Sequence, residues 1–173
     1  MQEIRVSKGK ARWTENFTPP TAPYSEGYIA GSGGAEHSLL LRGDGVVFVA
    51  GDNTDGQLGD GTNTQRSSFT QITGLSGITA VAAGGYHSLA LDSSGNVWAT
   101  GLNNHGQLGL GNTTSLNVWT QITALSGIVS IAAGEYHSMA VDDLGHVWAW
   151  GYDSSGQLGD GLTADRDIPY QVM

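Results

Sequence analysis

The sequence has no cysteine, which excludes disulfide bonds, thiolate metal ligands and cysteine nucleophiles together. It has only 4 prolines beside 27 glycines, a composition that favours many tight turns over a disordered proline-rich tract. No apolar run is long enough to cross a bilayer, and the first 17 residues carry dispersed charges unlike those of a signal peptide. We therefore expect one compact domain of short strands, without a membrane partner.

Positive charge is also scarce, with 7 Lys and Arg against 16 Asp and Glu, and the formal net charge is -9. A surface of this sign repels phosphate backbones, so nucleic-acid binding is disfavoured. The glycine-rich stretches do not match a phosphate-binding G-x-x-x-x-G-K loop, and no lysine follows Lys10. The sequence thus predicts neither a nucleotide nor any other cofactor.

What the chain does contain is an internal repeat of 50 residues, without insertion or loss. His37, His87 and His137 show this spacing, and so do three copies of the tetrapeptide GQLG. The repeat divides residues 27–173 into units at about 27–77, 78–127 and 128–173. The last unit lacks a counterpart of the GLSG that ends the first, so we expect it to be incomplete.

Each unit shows four candidate strands, which in the second unit are ITAVAAG, YHSLALD, NVWATG and NVWTQIT. Turn signals such as DSSG separate them. Four short strands in about 50 residues are typical of a propeller blade. Because the strands are apolar with little alternation, both faces of each sheet should be covered by stacked blades. The predicted fold is an all-β, partial propeller of about three four-stranded antiparallel blades.

A residue present in every unit is best explained by the needs of the blade. Adjacent strand residues point to opposite faces, so His87 and Ser88 cannot form one nucleophile and base. We expect the histidines to bond buried loop backbone, the glutamines to tie loop amides and the leucines to fill the core. Trp98 and Trp148, with Phe48 in register, should pack between blades. The predicted structural residues are His37, His87, His137, Gln57, Gln107, Gln157, Leu58, Leu108 and Leu158.

Two other interpretations concern metals. The acidic, glycine-rich loops after Asp52 and Asp153 could supply oxygen ligands to calcium, but their spacing does not match an EF-hand loop. Leu110 moreover replaces Asp60 and Asp160 in the middle unit. A turn role is favoured for these residues. The repeat histidines could alternatively serve a metal-dependent hydrolase, although we predict no catalytic and no metal-binding residue.

Positions that vary within the repeat are the better candidates for a partner-binding site. The two residues before each repeat histidine should lie in a turn at one rim, and the residue after each third strand should lie near them. Exposed tyrosines are favoured interface anchors. The alternative is that Tyr86 and Tyr136 only pack against the neighbouring blade. The candidate rim comprises Glu36, Asp52, Tyr86, Leu102, Asn103, Asn104, His105, Glu135, Tyr136 and Tyr152.

The segments VAAGGYHSLAL and IAAGEYHSMAV, each followed by a VW-containing strand and GQLG, resemble the repeat of the regulator of chromosome condensation family. The first unit departs from that pattern at Gly31 and Ala50. The resemblance implies a propeller, most often seven-bladed, that serves as a platform for protein interactions. One branch of that family catalyses guanine nucleotide exchange through added features, for which the constant spacing leaves no room here.

The ends of the sequence suggest how the array continues. Residues 1–26 are expected to be an extended segment, and Glu3 to Ser25 is similar to the end of concanavalin-like or laminin-G-like jelly-roll modules of phage and bacterial surface proteins. That resemblance would imply a virion or a bacterial surface as the location. Three blades cannot close a ring, so we expect the propeller to stay open unless self-association or further sequence completes it.

The function predicted from these features is non-enzymatic. The chain is expected to bind a protein partner, or a second copy of itself through its open blade faces. The alternative is a carbohydrate-binding surface module, suggested by the aromatic residues Tyr86, Tyr136, Trp150 and Tyr152.

Overall fold

A computed structural model describes residues 5–7, 10–12 and 27–172. The first two ranges are short strands, β1 (Arg5–Ser7) and β2 (Lys10–Arg12), which pair antiparallel. The rest of the predicted N-terminal segment, including its jelly-roll resemblance, lies outside the described residues. Within the described residues, no helix has the length and apolar character needed to cross a membrane.

Residues 27–172 form three four-stranded antiparallel sheets, so the predicted all-β blade architecture is confirmed. Blade 1 consists of β3 (Tyr28–Gly33), β4 (His37–Arg42), β5 (Val47–Gly51) and β6 (Arg66–Gln71). Blade 2 consists of β7 (Ile78–Ala83), β8 (His87–Asp92), β9 (Val97–Gly101) and β10 (Leu116–Gln121). Blade 3 consists of β11 (Ile128–Ala133), β12 (His137–Asp142), β13 (Val147–Gly151) and β14 (Arg166–Gln171).

The strands of each blade are ordered as in the chain, and the first strands of neighbouring blades contact one another, β3 with β7 and β7 with β11. Because successive strands run antiparallel, the turns after β3, β7 and β11 lie at the same end as the long loops after β5, β9 and β13. We call this end the upper rim. The turns after β4, β8 and β12 and the connections between blades form the lower rim.

Apolar side chains fill the space between blades. Leu39, Leu41, Val47 and Val49 of blade 1 are at most 1% exposed and form one cluster with residues of blade 2, including Trp98. A second cluster joins blades 2 and 3 in the same way, with Trp148 packed against it. Trp98 and Trp148 therefore pack between blades as predicted, whereas Phe48 belongs to neither cluster and contacts residues of its own blade. Burial of this apolar surface is the main stabilising term for stacked sheets.

The two outer blades each keep one face without a neighbour among the described residues. Met139, Val141 and Val147 of blade 3 are only partly buried, whereas their counterparts in blade 2, Leu89, Leu91 and Val97, are at most 4% exposed. On the opposite side of the stack, Phe48 contacts the ring of Tyr28 at 5.6 Å between centroids. The structure is thus an open stack of three blades.

Candidate partner-binding site

Two of the three repeat histidines, His37 and His87, join neighbouring blades. His37 Nε2 lies 2.9 Å from the Ser88 hydroxyl of the next blade, and that hydroxyl donates to the backbone carbonyl of Gln57. His87 makes the same contact with Ser138 at 2.8 Å. Each ring thus reaches the loop backbone that the sequence analysis assigned to it through a serine hydroxyl of the next blade.

These contacts indicate the protonation state of the histidines. Since the serine hydroxyl donates its proton to a carbonyl, it accepts from His Nε2–H, and Nδ1 of His37 and His87 has no partner among the described residues. Burial lowers the pKa of His87 to about 3 and that of His37 to about 4. The rings are thus neutral, and each His–Ser pair is a structural link between two blades.

The loops after β5, β9 and β13 are held by the predicted leucines and glutamines. Leu58 and Leu108 are fully buried, and Leu158 is 2% exposed. The carboxamide oxygens of Gln57, Gln107 and Gln157 accept the backbone N–H two residues earlier in each loop. These contacts give each loop the same shape, so the residues at its outer surface recur at equivalent positions on the upper rim.

Asn103, one of the predicted rim residues, lies inside the loop rather than at its surface. Its side chain is fully buried, its Oδ1 accepts the N–H of Leu108, and its Nδ2 donates to the carbonyls of Asn112 and Thr114. Asn53 holds the first loop in the same way. Asn103 is therefore a loop-stabilising residue that a partner at the rim cannot contact.

Four aromatic rings meet at the upper rim between blades 2 and 3. Tyr86 and Tyr136 stack with their centroids 5.6 Å apart and an interplanar angle of 21°. His105 lies 5.7 Å from Tyr136 and 4.4 Å from Tyr152, and Tyr136 lies 6.2 Å from Tyr152. We call these four residues the tyrosine cluster. The rings come from the turns after β7 and β11, from the β9–β10 loop and from the residue after β13.

The tyrosine cluster surrounds a shallow cavity of about 390 Å³. Six of the ten rim candidates line it, together with Asp55, which the sequence did not single out. The six are Tyr86, Leu102, Asn104, His105, Tyr136 and Tyr152. The packing of Tyr86 and Tyr136 on neighbouring blades is therefore compatible with a role at the surface, since both rings remain partly exposed.

The other candidates lie outside the cavity lining. Glu36 is exposed in the turn after β3, and Glu135 is exposed beside Tyr136. Asp52 accepts hydrogen bonds from the Thr54 hydroxyl at 2.6 Å and the Gln57 amide at 2.7 Å, so its carboxylate is engaged within its own loop. The bond from Thr54 is the largest cause that lowers the pKa of Asp52.

Two acidic residues at the site were missed by the sequence analysis. Asp55 lies in the β5–β6 loop of blade 1. Asp165 of blade 3 accepts a hydrogen bond from His105 Nδ1–H at 2.7 Å, which fixes the orientation of the ring. Asp55 is in register with His105, a signal that could have identified it. Asp165 gave none, because only the stacking of blades brings it within reach of a residue 60 positions away.

Negative charge dominates this rim. Partial burial raises the pKa of the Tyr136 hydroxyl, and the neighbouring Tyr86 and Glu135 raise it further. Within the described residues, no group of three His, Asp or Glu side chains is arranged to hold a metal ion. In the loop proposed for calcium, Asp60 instead forms an ion pair with Arg66. The cavity at the tyrosine cluster is thus lined by aromatic faces, the Asn104 amide and the Asp55 carboxylate.

Comparison with solved structures supports the propeller assignment. Human WBSCR16 matches with a TM-score of 0.76 and 25% identity over 95% of this chain. Prp20p from Saccharomyces cerevisiae matches with a TM-score of 0.76 and 22% identity over 84% of this chain. Yeast RCC1 (Prp20) bound to Kap60 matches with a TM-score of 0.75 and 22% identity over 84%. The chain spans 40%, 38% and 37% of the lengths of these three chains. No curated protein matches the sequence.

The family comparison covers most of the chain. The model of the regulator of chromosome condensation (RCC1) repeat matches residues 44–91, 94–141 and 145–173. A second model of the same repeat matches residues 29–57, 78–107 and 128–157. These ranges contain the inter-blade histidines, the GQLG loops and the strands that carry the tyrosine cluster. The chain therefore belongs to the regulator of chromosome condensation (RCC1) repeat family.

Proposed function

We propose that this chain is a non-enzymatic protein-interaction module whose partner binds the tyrosine cluster on the upper rim. The observation that carries the proposal is the meeting of three tyrosines and one histidine around one cavity. Tyrosine contributes a large apolar face and a polar hydroxyl at low entropic cost, which is why it is enriched among residues that dominate binding energy.

The family gives the proposal additional support. The structure of Prp20p is reported with its binding to Gsp1p and histones, and the other yeast structure contains Kap60. Gsp1p, histones and Kap60 are thus three protein partners of a propeller with this repeat. The invariant loop framework of this chain, with variable residues at its outer end, suits the presentation of a specific surface.

Quantitative affinity enrichment can test the proposal. The full chain and a Tyr86→Ala/Tyr136→Ala double variant would be used as bait, with Leu144→Ala as the matched control, because Leu144 is 78% exposed in a turn of the lower rim. Proteins enriched by the wild type should be lost with the double variant and retained with the control. Equal enrichment by all three baits would contradict the proposal, provided that circular dichroism shows the same fold.

Carbohydrate binding is a second candidate, since tyrosine faces beside Asn104 and Asp55 could stack on a sugar ring and bond its hydroxyls. A glycan array distinguishes the two functions. Binding to a glycan that Tyr136→Ala abolishes would support this candidate, and an array without binding would exclude it.

Self-association through the open blade faces is also part of the proposal. Met139, Val141 and Val147 are partly exposed at positions that are buried in blade 2. A blade from a second copy would cover them as blade 3 covers blade 2. Exposed apolar patches of this kind commonly mark interfaces.

A further inference from the structure

The cavity at the tyrosine cluster contains an acidic group that has no cationic partner among residues 27–172. The Asp55 carboxylate is half-buried and accepts no hydrogen bond from any other described residue, although its backbone N–H is bonded to Gln57. Burial raises its pKa, and the negative charge of Asp52 raises it further. Burial and the Asp52 charge both disfavour the ionised form of Asp55, and a cation placed beside the carboxylate would stabilise that form.

Among residues 27–172, no Lys or Arg side chain lines this cavity. Residues 27–172 contain thirteen Asp and Glu residues but only three arginines and no lysine. Arg42 is paired with Asp44, Arg66 with Asp60, and Arg166 with Asp160, and none of the three lines the cavity. A guanidinium or ammonium group beside Asp55 would therefore come from outside residues 27–172.

The aromatic lining suits a cation as well. Tyrosine faces carry partial negative charge, and a guanidinium group stacks on them while donating to a carboxylate. The cavity combines Tyr86, Tyr136 and Tyr152 with Asp55, and His105 is oriented beside them by Asp165. An ammonium group can use the same charges but lacks the planar fork that pairs with a carboxylate through two bonds.

We propose that the tyrosine cluster and Asp55 bind the guanidinium group of an arginine in a basic segment of the partner protein. This inference rests on the proposed function and specifies the chemistry of its partner. The guanidinium would stack against a tyrosine face and donate to the Asp55 carboxylate, and the surrounding negative charge of Glu135 and Asp165 would favour further basic residues nearby.

Binding of a synthetic peptide tests this inference on the full chain. The probe is a fluorescein-labelled pentapeptide, Gly-Arg-Gly-Arg-Gly, measured by fluorescence anisotropy at 0.15 M salt. Matched peptides contain citrulline, which keeps the shape without the charge, or lysine. We expect the arginine peptide to bind most tightly, the lysine peptide about threefold more weakly and the citrulline peptide at least about tenfold more weakly.

Variants locate the binding site. Asp55→Asn and Tyr136→Leu should each weaken arginine-peptide binding by about tenfold. Asp143→Asn removes the same charge from an exposed position on the lower rim and should change binding by less than about twofold. Circular dichroism melting shows whether each variant folds. If Tyr136→Leu does not fold, the comparison of Asp55→Asn with Asp143→Asn decides the test.

Several outcomes would overturn the inference. Equal binding of the arginine and citrulline peptides, or equal weakening by Asp55→Asn and Asp143→Asn, would show that the cavity does not recognise a cation. Equal binding of the lysine peptide would overturn the guanidinium assignment. If the peptides fail to bind while protein enrichment still depends on Tyr86 and Tyr136, the inference falls and the proposed function stands.

Discussion

At the scale of single residues, one equivalent side chain stabilises each of the three long loops. It is Asn53 in blade 1, Asn103 in blade 2 and Asp153 in blade 3, so the third has an oxygen atom where the others have an amide nitrogen. Asn53 and Asn103 each donate two hydrogen bonds to carbonyls of their loop, but blade 3 has Asp153 at this position. Asp153 is fully buried, its Oδ1 accepts the N–H of Leu158, and its Oδ2 has no partner among the described residues. A buried carboxylate oxygen without a donor is destabilising.

We predict that Asp153→Asn stabilises the protein. The new amide could donate to the carbonyls of Leu162 and Ala164, which are the counterparts of the acceptors of Asn103. The free energy of unfolding at pH 7 should rise by about 1 to 2 kcal/mol in urea titrations. Asp143→Asn, at an exposed position, should change it by less than about 0.5 kcal/mol. A lower stability of Asp153→Asn would contradict the assigned role.

The buried histidines predict a dependence of stability on pH. His37 and His87 have pKa values of about 4 and about 3 in the folded protein against an ordinary value of 6.5. The unfolded chain therefore binds protons first as the pH falls. Stability should be greatest above pH 6.5 and decrease below it, by about 1.4 kcal/mol per pH unit for each histidine.

Urea titrations between pH 6 and pH 5 would measure this slope. His87→Asn should reduce the slope by about one proton's contribution, although it also lowers the stability at pH 7 by removing an inter-blade hydrogen bond. Leu144→Ala, which changes an exposed side chain that does not titrate, should leave the slope unchanged. The same slope in the wild type and in His87→Asn would rule out a neutral buried His87.

At the scale of elements, a glycine at the end of each first strand allows the blades to approach. A Cβ added to Gly34 would lie 2.3 Å from His37 Cε1 and 2.4 Å from the carbonyl oxygen of Gly84 in the next blade. A Cβ added to the preceding Gly33 would have no neighbour within 4 Å. The two adjacent glycines thus form a matched pair for a packing test.

Gly34→Ala should lower the free energy of unfolding by about 3 kcal/mol, because the His37 ring and the backbone of blade 2 at Gly84 must both move. Gly33→Ala should be neutral or stabilising by about 0.5 to 1 kcal/mol, since alanine loses less backbone entropy in a strand. Thermal or urea unfolding of both variants provides the measurement. Comparable losses for both would show that the ring does not pack on Gly34.

The repeat made the elements predictable. Alignment of three copies indicated four strands in each and identified the leucines, glutamines and tryptophans of the core, because the residues that each blade needs recur at a fixed spacing. The partners of those residues were not predictable. The His37–Ser88 link and the burial of Asn103 depend on how one blade stacks on another and how the loop folds back, and neither leaves a periodic signal.

The site was partly predictable for the same reason. Positions that vary within a constant framework indicated Tyr86, Tyr136 and Tyr152, which the structure brings together. Asp55 and Asp165 come from blades 1 and 3, on the two sides of blade 2, which supplies Tyr86 and His105. A search of one unit at a time could not place three blades around one cavity.

At the scale of the whole molecule, the open faces predict self-association of the isolated chain. Val141→Asp would place a charge in the centre of the open face of blade 3, at the position that is buried as Leu91 in blade 2. Sedimentation velocity should show concentration-dependent oligomers for the wild type and a monomer for this variant. Leu144→Asp, on the lower rim, is the control and should behave like the wild type.

A wild type that stays monomeric at high concentration would contradict this part of the account. So would a Val141→Asp variant that associates as strongly as the wild type. Neither result would affect the tyrosine cluster, which lies between blades 2 and 3 and requires no second copy.

The central claim is that a partner protein contacts the upper rim at the tyrosine cluster. The most direct measurement places a photo-crosslinking amino acid at exposed Asn104, beside the cavity, or at Leu144 on the opposite rim. We predict a discrete crosslinked protein from position 104 that is lost with Tyr86→Ala/Tyr136→Ala, and none from position 144. Crosslinking of the same protein from position 144, or its persistence in the double variant, would contradict the claim.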